Sequence, residues 1–257
     1  MGSYTELLEQ RQLLTLLTTF DNGVLTVSSD DGDNIVLATN ENGAVTLNGA
    51  VVSHDSQPVN PTDVTSLNVF GDDAVNLIDT TGIRAASFPI AIDGGSGEDS
   101  IRVGSMSAAD DGTGDTLDVS STLGGIQVVV NSTDTITILD ATAQLTIVGS
   151  TDQDSFSFNI NFFGIPIPTG GLSFDGQDSG TSADSLDLRA PGFFTAATVT
   201  HQTTFSQTGS ISIDDAIVSY TQVAQIDDRL TAVDREFNAF GGSDILVLSD
   251  DGEENDG

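Results

Sequence analysis

One short unit recurs along this chain and limits what it can fold into: Asp-x-U-x-U, an aspartate followed by alternating large apolar residues, U. It stands at Asp33-Asn-Ile-Val-Leu, Asp73-Ala-Val-Asn-Leu, Asp99-Ser-Ile-Arg-Val and Asp115-Thr-Leu-Asp-Val. It returns at Asp134-Thr-Ile-Thr-Ile, Asp154-Ser-Phe-Ser-Phe, Asp184-Ser-Leu-Asp-Leu and, more loosely, Asp244-Ile-Leu-Val-Leu. Alternation with a period of two sends every second side chain into a core, which is the mark of a strand. Each run follows a turn containing Gly, Asp or Ser. The fold class that results is all-β. The aspartates are spaced by 40, 26, 16, 19, 20, 30 and 60 residues. Spacings of 16 to 20 suit one coil of a small parallel β-helix, or β-solenoid, and 40 and 60 read as two and three coils. Such coils stack about 4.8 Å apart in a parallel sheet and wind right-handed by default.

The most specific stretch is residues 93–103, Asp-Gly-Gly-Ser-Gly-Glu-Asp-Ser-Ile-Arg-Val. Gly94 to Arg102 matches the nonapeptide G-G-x-G-x-D-x-U-x at every fixed position. Glycines let a backbone adopt positive φ and turn its carbonyls toward a cation, while the aspartate supplies a carboxylate. Ca²⁺ takes six to eight oxygens at about 2.3–2.6 Å. One nonapeptide makes half a site, so a partner loop is needed. The expected partner begins 16 residues later, giving a candidate constellation of Asp93, Gly94, Gly95, Gly97 and Asp99 with Asp110, Asp111, Gly114 and Asp115. So many stacked carboxylates repel one another unless a cation lies between them. Asp30, Asp31 and Asp33, and Asp72 with Asp73, repeat this chemistry more weakly. None of these fits an EF-hand loop.

Charge narrows the partners. The 257 residues carry 39 acidic side chains against six basic ones, all arginine, for a net charge of −33. Nucleic acid and anionic membrane surfaces are excluded as partners, since both are bound through basic groups. No lysine and no cysteine occur, which removes Walker A loops, Schiff bases, disulfides and thiolate metal sites. No apolar run approaches 18 residues, so no membrane-inserted helix is expected.

Residues 1–20 stand apart. Ser3-Tyr4-Thr5-Glu6 fits a capping box, and Leu7, Leu8, Leu13, Leu14 and Leu17 lie near helical spacing, predicting a short capping helix over residues 4–16. Residues 21–190 read as solenoid repeats and 191–257 as their continuation, truncated at the C-terminal end. Residues 162–168, Phe-Phe-Gly-Ile-Pro-Ile-Pro, cannot be a central strand and read as an apolar loop on the flank. Residues 189–194 are a second break. Leu230, Val233, Phe237 and Phe240 fall on one helical face, predicting a helix over residues 227–240. A last coil leaves unpaired N–H and C=O groups, so further repeats or head-to-tail, filament-forming self-association are expected there.

Catalytic signals are weak. His54 and His201 sit in no metal or nucleophile motif, and neither G-x-S-x-G nor H-E-x-x-H occurs. The nonapeptide resembles the repeat of RTX (hemolysin-type) calcium-binding proteins. Leu8-Glu9-Gln10-Arg11-Gln12-Leu13-Leu14 resembles the LEPR-XLL motif at the start of very large bacterial surface proteins, with Gln10 in place of proline. That resemblance implies export, a cell-surface or extracellular matrix location and calcium-supported repeats. The residues it carries over are Gly94, Gly95, Gly97 and Asp99. The expectation is a non-enzymatic structural or adhesive module, with calcium as its ion and a surface or matrix polysaccharide as a partner. The alternative is a parallel β-helix polysaccharide lyase or hydrolase using carboxylates with Arg102 or Arg189. An acidic protein adapted to high salt explains the charge but leaves the nonapeptide without a role.

Overall fold

In the computed structural model, residues 16–30, 32–84, 87–104, 113–139, 143–177, 184–205 and 207–239 are described. The described residues open with a hairpin, β1 (Leu17–Asp21) and β2 (Val24–Ser28), and the chain crosses to β3 (Ile35–Thr39). This strand folds back through β4 (Val45–Leu47) and β5 (Ala50–Val51). Two short pieces, β6 (Ser53–His54) and β7 (Gln57–Pro58), and a 3-10 turn at Pro61–Asp63 lead to β8 (Ser66–Phe70). There follow β9 (Leu77–Gly82), β10 (Ile90–Asp93) and β11 (Ser100–Gly104), then a meander of β12 (Thr116–Thr122), β13 (Gly125–Val130) and β14 (Asp134–Ile138). Next come β15 (Gln144–Val148), β16 (Ser155–Asn159), β17 (Leu172–Asp175) and β18 (Asp184–Arg189). A second meander, β19 (Ala196–Phe205), β20 (Thr208–Ile213) and β21 (Ala216–Thr221), precedes β22 (Val223–Asp228) and β23 (Ala232–Ala239).

These strands form two long sheets. The first has ten strands in the order β1-β2-β8-β10-β14-β13-β12-β16-β18-β22. The second has eleven, in the order β23-β19-β20-β21-β17-β15-β11-β9-β3-β4-β5. From β8 onward the chain alternates between the sheets and pairs in parallel on return, as in β8–β10, β9–β11, β16–β18 and β15–β17. The meanders interrupt this advance. After β12 the chain steps back through β13, so that β14 lies beside β10 and β15 beside β11. The second meander repeats the manoeuvre: β21 returns to β17, β22 to β18 and β23 to β19.

Alternation in the sequence explains the core. Ile101 and Val103, Leu117 and Val119, Phe156 and Phe158, and Leu186 and Leu188 are all fully buried. Across the first sheet the registers align Leu25, Leu67, Ile90, Ile136, Val128, Val119, Phe158 and Leu188 in one inward row. In the second sheet Ile35, Ile78, Ile101, Leu145, Leu172, Val218 and Ile211 form the matching row. Each fully buried aliphatic side chain contributes about 1.5–3 kcal/mol, so these rows dominate stability.

Two expectations are corrected. Residues 227–239 are not helical: β22 and β23 occupy them, and β23 pairs in parallel with β19 from Ala196↔Ala232 to Thr203↔Ala239. Leu230 is buried while Val233 is 75% exposed, so the apparent helical face does not exist. The unit at Asp73 is read one residue out of phase, since Val75 is exposed while Asn76 and Ile78 are buried. The capping helix falls almost wholly outside the described residues, as does the strand expected after Asp244.

Candidate functional site

Two flanks of turns join the sheets, and the nonapeptide lies on the one that carries the chain from the first sheet to the second. There it stacks on the turn at 71–76. Gly71 N–H donates to Asp93 O at 2.7 Å, Ser96 N–H to Asp72 O at 3.2 Å and Ser100 N–H to Asn76 O at 2.8 Å. Ser96 Oγ–H donates to Asp73 Oδ1 at 2.7 Å. Gly95 has φ +96°, and a methyl group there would collide with the Asp72 carbonyl, so the glycine permits this close stacking. The turn at 29–33 continues the stack on the other side. Asp72 Oδ2 accepts Gly32 N–H at 2.7 Å and Ser29 Oγ–H at 3.3 Å, while Asp72 Oδ1 accepts Ala74 N–H at 2.8 Å. These bonds, led by the one from Gly32, hold the Asp72 carboxyl below its ordinary value despite partial desolvation.

Asp99 lies at the end of the nonapeptide, only 1% exposed. Its Oδ1 accepts the N–H of Asn76, 23 residues earlier, at 2.7 Å. Asp115 belongs to the opposite flank, because it precedes β12 of the first sheet while Asp99 precedes β11 of the second. The sixteen residues from Asp99 to Asp115 thus lead to the other flank, and Asp115 does not stack on Asp99. Asp110 and Asp111 lie outside the described residues.

On its own flank Asp115 belongs to a column of aspartates. Asp115 N–H donates to Asp154 Oδ1 at 2.7 Å across 39 residues, and Asp154 N–H donates to Asp184 Oδ1 at 2.7 Å across 30. Asp115, Asp154 and Asp184 are 4%, 1% and 0% exposed. Asp154 Oδ2 also accepts Ser150 N–H at 2.5 Å, and Asn131 Nδ2–H donates to Asp115 Oδ1 at 2.6 Å. The repeated aspartate is therefore a cap: its carboxylate takes the backbone N–H at the matching position of the neighbouring layer, where strand pairing is about to begin. Burial pushes the Asp154 carboxyl up, against the hydrogen bonds it accepts from Asp115 and Ser150. Among the described residues no group of three or more His, Asp or Glu side chains is arranged to hold a metal ion.

Arg102, Arg189 and Arg229 sit on strands or beside strand ends. Arg102 faces Asp79 directly across β11 and β9, with Nε 3.4 Å from Oδ2. Arg189 ends β18, where its Nε donates to Asp187 Oδ2 at 2.6 Å. Arg229 pairs with Asp227 Oδ2 through Nη2 at 2.5 Å, and its Nε lies 3.5 Å from Asp187 Oδ1. Asp118, Ser157, Asp187 and Asp227 align across the outward face of β12, β16, β18 and β22.

His54 is exposed beside Asp55, whereas His201 is 7% exposed. His201 aligns with Ile211, and Asp228 with Leu188, so the inward row of the first sheet ends on Asp228 while that of the second passes through His201 to Phe237. His201 Nε2 lies 2.8 Å from Asp228 Oδ2, Arg235 Nε lies 3.2 Å from the same oxygen, and Phe237 stacks on the imidazole at 4.9 Å. Hydrogen bonds from His201 and Leu230 and the charge of Arg235 hold the Asp228 carboxyl below its ordinary value, outweighing desolvation. Sequence reading left His201 without a partner because Asp228 stands 27 residues away with no motif between them.

Two shallow grooves share Gln144, Thr169 and Gly170 on the flank of the nonapeptide. One, of about 570 Å³, runs along residues 96–100; the other, of about 640 Å³, extends to Asp215 and Ser219. Neither brings a histidine or arginine to a carboxylate pair. Comparison with protein-family models, with curated proteins and with solved structures gave no match for this chain.

Proposed function

We propose that this chain is a non-enzymatic structural or adhesive module of an extracellular surface or matrix protein, built as a right-handed parallel β-solenoid. The observation that carries the reading is the column Asp115–Asp154–Asp184, in which Asp154 and Asp184 each cap the layer before them. Such a column gives the same local contact to every added layer, so the architecture lengthens without a new core being designed. Repeat proteins of this kind present long faces rather than a single deep pocket. The outward positions of the strands here are rich in Ser, Thr, Asn, Gln and Asp, which suits contact with hydrated polysaccharide.

Calcium belongs to this reading at the stacked turns 71–76 and 93–99. Asp99 is occupied by the backbone N–H of Asn76, so the carboxylates available there are those of Asp93 and the exposed Asp73 and Glu98, together with turn carbonyls. The second reading, a polysaccharide lyase or hydrolase, is favoured by one observation: Arg189 and Arg229 flank the buried Asp187 on one sheet face. Both guanidiniums are already neutralised by aspartates, which speaks for a structural role. Incubating the full chain with neutral and acidic polysaccharides separates the two. Retention on polysaccharide without new reducing ends or unsaturated products is expected; cleavage that disappears in Asp187→Asn overturns the non-enzymatic reading.

A further inference from the structure

Three neighbouring strand ends of the first sheet carry large apolar residues out of the molecule rather than into it. The turn between β12 and β13 presents Leu123, 90% exposed. The turn after β16 presents Phe162 and Phe163, 85% and 56% exposed, with their rings edge to face at 5.9 Å. The turn after β18 presents Phe193, 71% exposed. β12, β16 and β18 are consecutive in the sheet, and hydrogen bonds tie their ends together. Asn161 Nδ2–H donates to Ser121 O at 2.7 Å, and Ile160 N–H donates to Arg189 O at 2.9 Å. The remainder of the 162–168 loop packs as expected, with Pro166 and Pro168 buried and Ile165 and Ile167 against the core. The two phenylalanines are thus held outward by an anchored turn.

We infer that this ridge is a homotypic contact, the surface through which two copies of the chain meet side by side in an isologous pair. Area and charge point to a second copy. An aromatic side chain has roughly 200 Å² to bury, so the exposed parts of the four residues amount to about 600 Å² per copy. Two ridges together bury about 1,200 Å², the lower bound of a specific protein–protein interface. A net charge of −33 makes copies repel almost everywhere. At this ridge, however, stand Arg189 and Arg229, two of the chain's six arginines, 51% and 58% exposed. There they balance Asp187 and Asp227, so the ridge repels another acidic copy less than a face of unpaired carboxylates does. An isologous arrangement places the same patch on both sides, so phenylalanine meets phenylalanine. The inference does not depend on the proposed function and differs from head-to-tail growth, since the ridge lies along a flank.

Sedimentation velocity of the full chain over a range of protein concentration, at low and high NaCl, tests it. The expected result is a monomer–dimer equilibrium whose dimer fraction rises with NaCl, because salt screens the like charges. Phe162→Ser combined with Phe193→Ser weakens dimerisation at least about tenfold, the equivalent of one buried aromatic contact. At concentrations where both proteins are monomeric the melting temperature of this variant stays unchanged, because both side chains are exposed. Val75→Ser, at an exposed apolar residue of the turn 71–76 farther along the flank, leaves the equilibrium as it was. A monomer at every concentration and salt, or a dimer indifferent to the double variant, overturns the inference. So does a chain that stays monomeric but binds phosphatidylcholine vesicles through the same phenylalanines.

Discussion

The carboxylate of Asp184 accepts the backbone N–H of Asp154 at 2.7 Å, and Asp154 does the same for Asp115, so Asp154 caps one layer while it is capped by the next. Removing one member strands buried donors on two segments. Asp154→Ala leaves the N–H groups of Asp115 and Ser150 without acceptors, and a cost of about 2–4 kcal/mol is expected from two buried unsatisfied donors. Asp154→Asn costs less, because its carbonyl oxygen still serves Asp115, but its NH₂ then faces the Ser150 N–H. Urea denaturation of the three proteins measures this. An alanine variant within about 0.5 kcal/mol of the parent, the usual range of surface substitutions, excludes the capping role.

The same burial sets the pH dependence. The folded pKa of Asp154 is raised above its ordinary 3.8, so the stability it contributes is fully present below 3.8 and is lost as pH rises through the raised value. Asp72 and Asp228 have lowered folded values. Their contribution is present above 3.8 and is lost as pH falls through the depressed values. Protonation of surface carboxylates also relieves self-repulsion. The melting temperature should therefore rise as pH is lowered from neutral toward 3.8 and fall once the pH drops below that value. Asp154→Asn should flatten the upper limb and leave the lower one intact. A wild-type maximum at neutral pH contradicts this account.

Two glycines in adjacent connections give a controlled comparison. A methyl group on Gly114 would run into the carbonyl of Gln153, backbone against backbone, where the Asp115 turn packs on its neighbour. A methyl group on Gly124, in the turn beside Leu123, meets nothing within 4 Å. Gly114→Ala should lower stability by several kcal/mol or prevent folding, as overpacking against fixed backbone does. Gly124→Ala should change it by no more than about 0.5 kcal/mol. Thermal melts of both variants decide the point, and equal effects would mean that the turns are not stacked as described.

Much of the fold was legible because alternation is local. Phe156, Phe158, Leu186 and Leu188 declare their inward direction within five residues, and the aspartate before each pair marks the cap. The layer length was not legible. The interval from Asp99 to Asp115 resembles a coil, yet it carries the chain between sheets, whereas true layer-to-layer contacts span 23, 30 and 39 residues. Nothing in the sequence of residues 116–138 announces that β14 turns back to β10, since antiparallel and parallel strands share one alternating pattern. The His201–Asp228 pair was hidden for a related reason: each residue occupies an apolar place in a row whose neighbours lie on other strands. Residues 227–239 misled because Leu230 belongs to a buried turn and Val233 to an exposed strand face, a coincidence of spacing that only pairing with β19 resolves.

Calcium provides the last test, and the geometry changes which aspartate should matter. Asp99 serves the Asn76 amide from a buried position, and an asparagine there keeps a carbonyl oxygen for that bond. Asp93 is partly exposed on the stacked turns, with Oδ1 accepting only the local Gly95 N–H at 3.1 Å. Extracellular calcium modules bind with Kd of about 10⁻⁴–10⁻³ M. A few millimolar calcium would then stabilise the folded chain by on the order of 1–2 kcal/mol per site. In circular dichroism melts at matched ionic strength, calcium should raise the melting temperature of the parent and of Asp99→Asn relative to chelator. The increment should vanish in Asp93→Ala together with Asp73→Ala, whose melts in chelator match the parent because neither side chain is buried. Superimposed curves for the parent with and without calcium would remove the ion from the reading and leave the aspartate–amide column as the support of the turns.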